Sequence, residues 1–282
     1  MSTLYLVSSP IGNLGDFSPR AEETLRSVQR VLAEDTRRTR VLTERAGATA
    51  PLVSVHAHNE RERTASILGW LEAGEELALV SDAGTPLVSD PGARVVQAVV
   101  AAGHRVVPIP GPSAVLSALI VSGLPSDRFC FLGFLERKGE ARRRALERIA
   151  ESEETVILFE SPRRLAGLFA DLRVACGAER RVAVARELTK IHEEVIRGTL
   201  EEASGYYEDG PPKGEVTVVV GPAEVSSDKE ADVLVARQMA AELLAAGQRP
   251  SSVARELSDR LDLARNEAYR IVHDLDASVD PE

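Results

Sequence analysis

The 282-residue sequence has few cysteines and few aromatic residues: two cysteines, one tryptophan and 4% aromatics. Cys130 and Cys176 lie far apart in apolar settings. They cannot frame a disulfide-stapled fold and read as reduced core thiols, which points to a cytoplasmic protein. Scarce aromatics argue against a surface that stacks several splayed bases. Apolar stretches such as Val95–Ala102 fall far short of the roughly 20 residues a membrane helix needs, so no membrane contact is expected. The N-terminus has no basic n-region and does not read as a signal peptide. Basic residues are outnumbered 34 to 44, for a net charge of −10. The chain as a whole is not steered toward nucleic acid, and any such contact must use a local basic patch. Neither a G-x-x-x-x-G-K-[ST] loop nor a G-x-G-x-x-G fingerprint occurs, which argues against a P-loop kinase and a nucleotide dehydrogenase.

What the sequence does have is alternation. Short apolar runs at Leu4–Val7, Arg30–Ala33, Leu52–Val55, Leu77–Val80 and Val106–Ile109 read as strands. Amphipathic stretches such as Ala65–Ala73 and Ala93–Ala102 separate them, the latter closed by Gly103. Ser18-Pro19 reads as an N-cap followed by proline at the first helical position. This is the signature of βαβ units and a mostly parallel sheet. A loop at Gly123–Asp127 marks a boundary, after which strands recur at Cys130–Gly133, Thr155–Phe159, Val182–Ala185, Glu194–Gly198 and Glu215–Val220. A polar linker at Ala223–Glu230 leads to a tail of helices only. Its apolar stripes are Val233, Ala236, Ala240, Leu243 and Leu244; Val253, Leu257 and Leu261; and Ala268, Ile271, Val272 and Leu275. This tail is either a capping bundle or a helix-turn-helix. The expected domains are 1–122, 123–224 and 225–282.

Ligands of open parallel sheets sit beyond the carboxyl ends of the strands. Three loops there are informative. Pro10-Ile11-Gly12-Asn13-Leu14-Gly15-Asp16 follows the first strand. Ser81–Gly92 follows the fourth; it is rich in small residues, carries Asp82 and Asp90, and has no lysine or arginine. That composition suits hydroxyls, amines or a cation better than phosphate. Pro110–Ala114 follows the fifth and opens a helix, whose N-terminus favours a carboxylate or phosphate. Together they fit an amino-acid-like ligand that also carries a cation; S-adenosylmethionine has that character, as do others.

Ten motifs then occur in order: Ser-Pro-Ile-Gly-Asn-Leu (9–14), Ala-Glu-Asp-Thr-Arg (33–37), His-x-His-Asn-Glu (56–60), Ser-Asp-Ala-Gly-Thr-Pro (81–86), Ser-Asp-Pro-Gly (89–92), Pro-Gly-Pro-Ser-Ala (110–114), Gly-Leu-Pro-Ser-Asp-Arg-Phe (123–129), Phe-Glu-Ser-Pro-Arg-Arg (159–164), Arg-Glu-Leu-Thr-Lys (186–190) and Lys-Gly-Glu (213–215). With these the chain resembles the tetrapyrrole methylase superfamily and, within it, the ribosomal RNA small subunit methyltransferase I family. The resemblance implies two α/β domains of the tetrapyrrole methylase type, one mostly parallel sheet and one mixed, plus a small C-terminal helical extension. It implies a homodimer with S-adenosylmethionine in a cleft. It also implies 2′-O-methylation of a decoding-centre cytidine in 16S rRNA, within the small ribosomal subunit. Carried over by motif, the cofactor contacts fall on Ser81, Asp82, Ala83, Gly84, Thr85, Pro86, Pro112, Ser113, Ala114, Phe159, Glu160, Arg186, Glu187, Leu188, Lys213, Gly214 and Glu215. The tetrapyrrole branch carries G-x-G-x-G-D near its start, whereas this chain keeps only Gly15-Asp16 of it. A porphyrin-like substrate would need that loop and a basic pocket, and neither is read here.

A ribose hydroxyl is a weak acid, so an acceptor or base assists its attack, typically by 10²–10⁴-fold. Asp16, Glu187 and Lys190 are the expected catalytic residues, with Glu34 and Asp35 as other strand-end carboxylates. Glu34 or Asp35 could equally form ion pairs with Arg37 or Arg38. Lys190 could be a base only if burial lowers its pKa; otherwise it could stabilise an oxyanion or hold a phosphate. The expected RNA contacts are Arg37, Arg38, Arg142, Arg143 and Arg144, although solvated helix faces look alike. His56-x-His58 invites a metal reading, but further ligands are not evident unless Glu60 or Glu62 turns back; no metal is expected. The alternatives are a precorrin-like tetrapyrrole methyltransferase and a non-catalytic RNA-binding assembly factor.

Overall fold

The computed structural model describes residues 1–207, 210–223, 227–261, 263 and 265–276, without the side chains of 227–234, 265–267 and 274–276. Val233 and Leu275, expected in apolar stripes, therefore lie outside the described residues. Two compact units result, Met1–Ala223 and Glu224–Glu282.

In the larger unit, β1 (Thr3–Val7), β2 (Arg30–Ala33), β3 (Leu52–Ser54), β4 (Leu77–Val80) and β5 (Arg105–Ile109) form a sheet in the order β3-β2-β4-β1-β5. All its pairings are parallel. The connections run through α1 (Pro19–Ser27), α2 (Thr36–Ala46), α3 (Glu60–Glu72) and α4 (Ala93–Ala101). Alternate strand residues serve opposite faces. Val31 and Val80 pack with Leu25 and Leu42, while Leu32 and Leu79 pack with Ile67, Val95 and Val99. Ser18 caps α1 by accepting from the Ala21 N–H at 3.1 Å. Helix α3 begins five residues before the apolar pattern that announced it, because its first turn, Glu60-Arg61-Glu62-Arg63, is wholly polar.

A second sheet follows: β6 (Phe129–Phe134), β7 (Thr155–Glu160), β8 (Arg181–Arg186), β9 (Glu194–Thr199) and β10 (Val216–Val220), in the order β6-β7-β10-β8-β9. Only β6 and β7 pair in parallel, so this sheet is mixed. Helices α6 (Glu140–Glu151), α7 (Leu165–Cys176) and α8 (Leu200–Tyr206) cover one face through Ile149, Leu168, Phe169 and Leu200. Each such buried side chain contributes about 1.5–3 kcal/mol.

Helix α5 (Ala114–Ser122) leaves the last strand of the first sheet and lies on the other face of the second. Its Val115, Ala118 and Leu119 pack with Ile157, Ala183 and Val219, and Ile11 from the loop after β1 joins the same cluster. One apolar core thus joins α5 and the loop after β1 to the second sheet. The opposite side of α5 presents Leu116 and Ile120, 51% and 75% exposed.

In the smaller unit, α9 (Ser227–Ala245), α10 (Pro250–Leu261) and α11 (Arg265–Asp276) pack through Ala236, Ala240, Val253, Leu257, Ala268 and Ile271. Helix α9 begins inside the stretch read as linker, because its first residues are polar and carry no apolar stripe. No helix among the described residues is long and apolar enough to cross a membrane.

Candidate active site

The loops after β1, β4 and β5 are tied edge to edge. Ser9 and Gly84 exchange backbone hydrogen bonds at 2.9 and 3.0 Å, and the Ser9 hydroxyl donates to the Ser81 carbonyl at 2.8 Å. Gly84 has φ +81°, a conformation that favours glycine. A Cβ at Gly111 would stand 2.9 Å from that of Ser8, so only glycine lets these loops approach.

Across from them, the second sheet presents the ends of β6, β7 and β8 and the start of β10. Between the two sets lies a cavity of about 370 Å³, within the usual range of roughly 300–1,000 Å³ for small-molecule sites. One wall is Ile11, Ala83, Val88, Ser89, Asp90 and Ala114. The other includes Phe134, Phe159, Glu160, Ala185, Leu188 and Gly214–Thr217. A bulge between Phe131 and Gly133, the latter at φ +65°, shifts the register of β6, and Phe134 just beyond it packs on Phe159 with ring centroids 5.6 Å apart.

Backbone strain marks the same two walls. Among the described residues, Leu87, Ser89, Glu187 and Thr189 are the non-glycine positions with positive φ. Such conformations cost about 1–3 kcal/mol each and cluster at functional sites.

The charges of the walls differ. On the first, the Ser81 hydroxyl donates to Asp90 Oδ2 at 2.5 Å. Burial nonetheless raises the Asp90 pKa, and Asp82 adds to the rise. Glu34 is likewise raised, by burial and then by Asp90 and Asp82. On the second wall Glu187 is satisfied: its Oε1 accepts from Lys190 Nζ at 2.7 Å and from the Glu215 N–H at 2.9 Å. These bonds lower its pKa, with Lys190 the main cause. Burial pulls the Lys190 pKa down, but hydrogen bonds to Glu187 and Glu215 outweigh it and leave Lys190 raised. Lys190 is therefore a fixed cation rather than a base. A Cβ on Gly214 would overlap the Glu187 carboxylate, and one on Gly12 would overlap Lys190. The loop after β1 and the 187–190 segment are thus in contact.

Glu160 is the most distinctive group. Its side chain is fully buried. Oε1 accepts from the Ser161 N–H at 2.7 Å and pairs with Arg164 Nε at 3.2 Å. Oε2 is buried without a hydrogen-bond partner in a residue that lines the cavity. Leaving an acceptor so placed costs about 1–3 kcal/mol, and a ligand with an N–H or O–H donor would satisfy it.

Of the residues expected to hold a cofactor, Ala83, Ala114, Phe159, Glu160, Leu188, Gly214 and Glu215 line the cavity. Others support it from behind. Ser81 holds Asp90, Thr85 donates to the Pro112 carbonyl at 3.3 Å, Ser113 caps α5, and Glu187 holds Lys190. Asp82 turns toward β2 and accepts from the Asp35 N–H at 3.0 Å. Arg186 pairs with Glu194 at 3.0 Å and donates to the Lys213 carbonyl at 3.1 Å. Pro86 lines a small pocket behind the loop with Glu34 and Asp90. Lys213 lines a neighbouring groove. Asp16 is exposed on a one-turn 3-10 helix, Leu14–Asp16, and does not line the cavity. Sequence reasoning singled out the loops that hold Ile11 and Val88 without counting either as a contact, and it passed over Phe134, Ala185, Val216 and Thr217, which are ordinary strand-end residues without a chemical signature.

The expected RNA arginines are engaged. Arg37 pairs with Asp35 at 2.6 Å, and Arg38 lies 3.9 Å from Asp82. Asp35 also caps α2, and its bonds with Arg37 hold its pKa down to about 2. Arg142 pairs with Asp171 at 2.6 Å, Arg143 with Glu140 and Glu147 at 2.5 Å each, and Arg144 with Glu140 at 3.2 Å. His56 and His58 have ring centroids 6.0 Å apart. Glu60 turns away from them, its Oε1 accepting from the Arg94 and Val95 N–H groups at 2.9 and 3.3 Å. Among the described residues no three metal-binding side chains converge.

A strand-end cavity between a parallel and a mixed sheet defines the class. Residues 3–204 match the family of Tetrapyrrole (Corrin/Porphyrin) Methylases. Solved structures share the fold: uroporphyrin-III-C-methyltransferase from Thermus thermophilus, at TM-score 0.57 and 23% identity over 78% of this chain and 94% of that one, and the methyltransferase CobJ, at 0.61 and 19% over 79% and 95%. Curated relatives named ribosomal RNA small subunit methyltransferase I are closer in sequence. That of Synechocystis sp. is 44% identical over 98% of this chain and 99% of its own. That of Xylella fastidiosa is 45% identical over 95% and 97%, and that of Bacillus subtilis 39% over 97% and 94%. The chain belongs to the ribosomal RNA small subunit methyltransferase I family of tetrapyrrole methylases.

Proposed function

We propose that this protein methylates the 2′-hydroxyl of a decoding-centre cytidine in 16S rRNA, with S-adenosylmethionine as methyl donor. The observation that carries the cofactor is Glu160, a residue of the cavity lining whose fully buried carboxylate leaves one oxygen unpartnered. An amine or hydroxyl of an amino-acid-bearing nucleoside suits that oxygen, and the lysine- and arginine-free Ser81–Gly92 wall with Asp90 suits a sulfonium. A Thermus thermophilus uroporphyrin-III C-methyltransferase of the same fold is known complexed with S-adenosylhomocysteine (TM-score 0.55, 22% identity). The names of the curated relatives support the RNA substrate. Residues 1–122 and 123–224 act as the two halves of the cleft, with 225–282 as an accessory domain.

S-adenosylmethionine, when bound, supplies a methyl group on a sulfonium that leaves as a neutral thioether. The chain's own work is positioning, which can account for much of such a barrier. Asp90 and Glu160 hold the donor; the expected contacts on 81–86, 112–114, 159–160, 186–188 and 213–215 line or brace that site. Lys190, oriented by Glu187 and Glu215, supplies a fixed positive charge for the oxygen as it loses its proton. Asp16, outside the cavity lining but on the loop whose Gly12 meets Lys190, is the proposed acceptor for that proton. The substrate is rRNA within the small subunit, in the cytoplasm. The exposed apolar Leu116 and Ile120 on α5 support a homodimer.

The test is transfer of labelled methyl by the purified protein to small ribosomal subunits from a strain lacking the enzyme, with ribose methylation mapped by sequencing. A new 2′-O-methylcytidine in 16S rRNA is expected. Methylation of a base, or none, overturns the reading.

A further inference from the structure

An open groove of about 1020 Å³ adjoins the cavity and shares Ser161, Pro162 and Gly214 with it. Its described lining carries four cations, Arg137, Arg163, Arg164 and Lys213, and no carboxylate. In a chain of net charge −10 this is a local reversal of sign. Arg164 is fixed, its Nε at 3.2 Å from Glu160 and its Nη2 donating to the Leu135 carbonyl at 2.7 Å. Arg137, Arg163 and Lys213 have no ion-pair partner among the described residues, unlike the paired arginines of α6. Pro162, Pro211 and Pro212 line the same groove. Proline fixes φ, so these cations stand on backbone already restricted, and less order is lost on binding.

We infer that this groove is the track for the phosphodiester backbone of the RNA substrate, with Arg137 and Arg163 as phosphate contacts that lead the target nucleotide to the cavity. The inference deepens the methyltransferase reading and rests on it. An unpaired, convergent set of guanidiniums beside a ligand cavity matches the chemistry of phosphate recognition. Arg142, Arg143 and Arg144 of α6 do not compete, because each already holds a carboxylate.

The experiment compares the full-length wild type with Arg137→Ala/Arg163→Ala and with Arg143→Ala/Arg144→Ala. Binding to small ribosomal subunits from a strain lacking the enzyme is measured across a salt series, and S-adenosylhomocysteine affinity by calorimetry. The groove variant should bind RNA about tenfold more weakly, and its log–log salt slope should fall by roughly 0.7–0.9 per lost phosphate contact. Its cofactor affinity should hold, which shows that it is folded. The α6 variant should match the wild type. If the groove variant keeps the wild-type affinity and slope, the groove assignment falls and the functional reading stands. If the wild type shows no salt-dependent RNA binding, both fall. If the groove substitutions abolish binding of uroporphyrin while RNA binding holds, the groove belongs to a small polycarboxylate and the RNA assignment is wrong.

Discussion

The two sides of the cleft carry the same chemical group in opposite states, one on the cavity lining and one bracing it from behind. Asp90, on the loop of the parallel sheet, has a hydroxyl for a partner and no cation, and its pKa is raised. Glu187, on the mixed sheet, is bound by an ammonium and a backbone N–H, and its pKa is lowered. A carboxylate without a counter-cation is a place for a positive ligand. One already neutralised is a device for orienting its partner, here Lys190. What separates binding from positioning is the partner, and both carboxylates sit in strained loops.

The largest expected effect breaks the second wall. Gly214 has φ +98° and no room for a Cβ beside Glu187. Gly214→Val should displace that carboxylate, release Lys190 and lower turnover by more than about 10²-fold. Calorimetry should show weaker S-adenosylhomocysteine binding with the far-ultraviolet circular dichroism unchanged. Retained turnover would show that the Glu187–Lys190 geometry is incidental.

Lys190→Met acts more narrowly. It removes the cation but leaves the cavity lining intact. Turnover should fall by about 10²-fold, the usual loss for one stabilising donor, with cofactor affinity within a few-fold. A change confined to cofactor affinity would move Lys190 from the reacting oxygen to the donor site.

Asp90→Asn tests the first wall. S-adenosylmethionine should bind about tenfold more weakly, while S-adenosylhomocysteine, whose sulfur is uncharged, should be little affected. In the wild type, affinity for the sulfonium should fall as pH drops through the Asp90 pKa, because protonation removes the attracting charge. That decline begins above the ordinary carboxylate value of about 3.9. The stability sign is opposite. A raised folded-state pKa contributes stability that is complete below the unfolded value and lost as pH rises through the folded one. Equal pH profiles for both ligands, or for wild type and variant, would remove Asp90 from the sulfonium's neighbourhood.

How much of this the sequence disclosed follows from the kind of signal each feature leaves. Apolar periodicity located the ten strands of the described residues, and glycine, proline and small residues located the strand-end loops that became the walls. The state of a carboxylate left no such trace. Asp82 and Asp90 look alike in sequence, yet the fold turns the first toward β2 and sets the second, half-buried, in the cavity lining. Glu160 was legible as a motif member, but its unpartnered oxygen exists only once β7 and Arg164 are packed. Density of charge also misdirects. Arg142–Arg144 form a conspicuous run that pairs with its own acids at i−3, i−4 and i+4 and with Asp171. The groove cations come from three separate segments that only tertiary structure brings together.

The smallest expected effect concerns what supports the first wall. Helix α4 begins at Ala93, directly after the Ser81–Gly92 loop, and its N-cap is Gly92 at φ +117°. Glycine has no side chain with which to satisfy the first N–H groups of a helix. Glu60, in the first turn of α3 and 8% exposed, reaches across to accept from the Arg94 and Val95 N–H groups. Its negative charge also faces the positive end of the helix. Glu60→Ala should leave those donors unsatisfied and destabilise the larger unit by about 1–2 kcal/mol. Glu60→Gln keeps an acceptor and should cost about half as much. Faster hydrogen exchange at the Val95 and Val99 amides would report the loss locally, with turnover unchanged below the melting temperature. The same variants decide the role of the nearby His56-x-His58. If Glu60 served a metal with those histidines, zinc would raise the melting temperature of the wild type and not of Glu60→Ala. A capping role predicts the same response to zinc in both proteins, and a stability loss present without any metal.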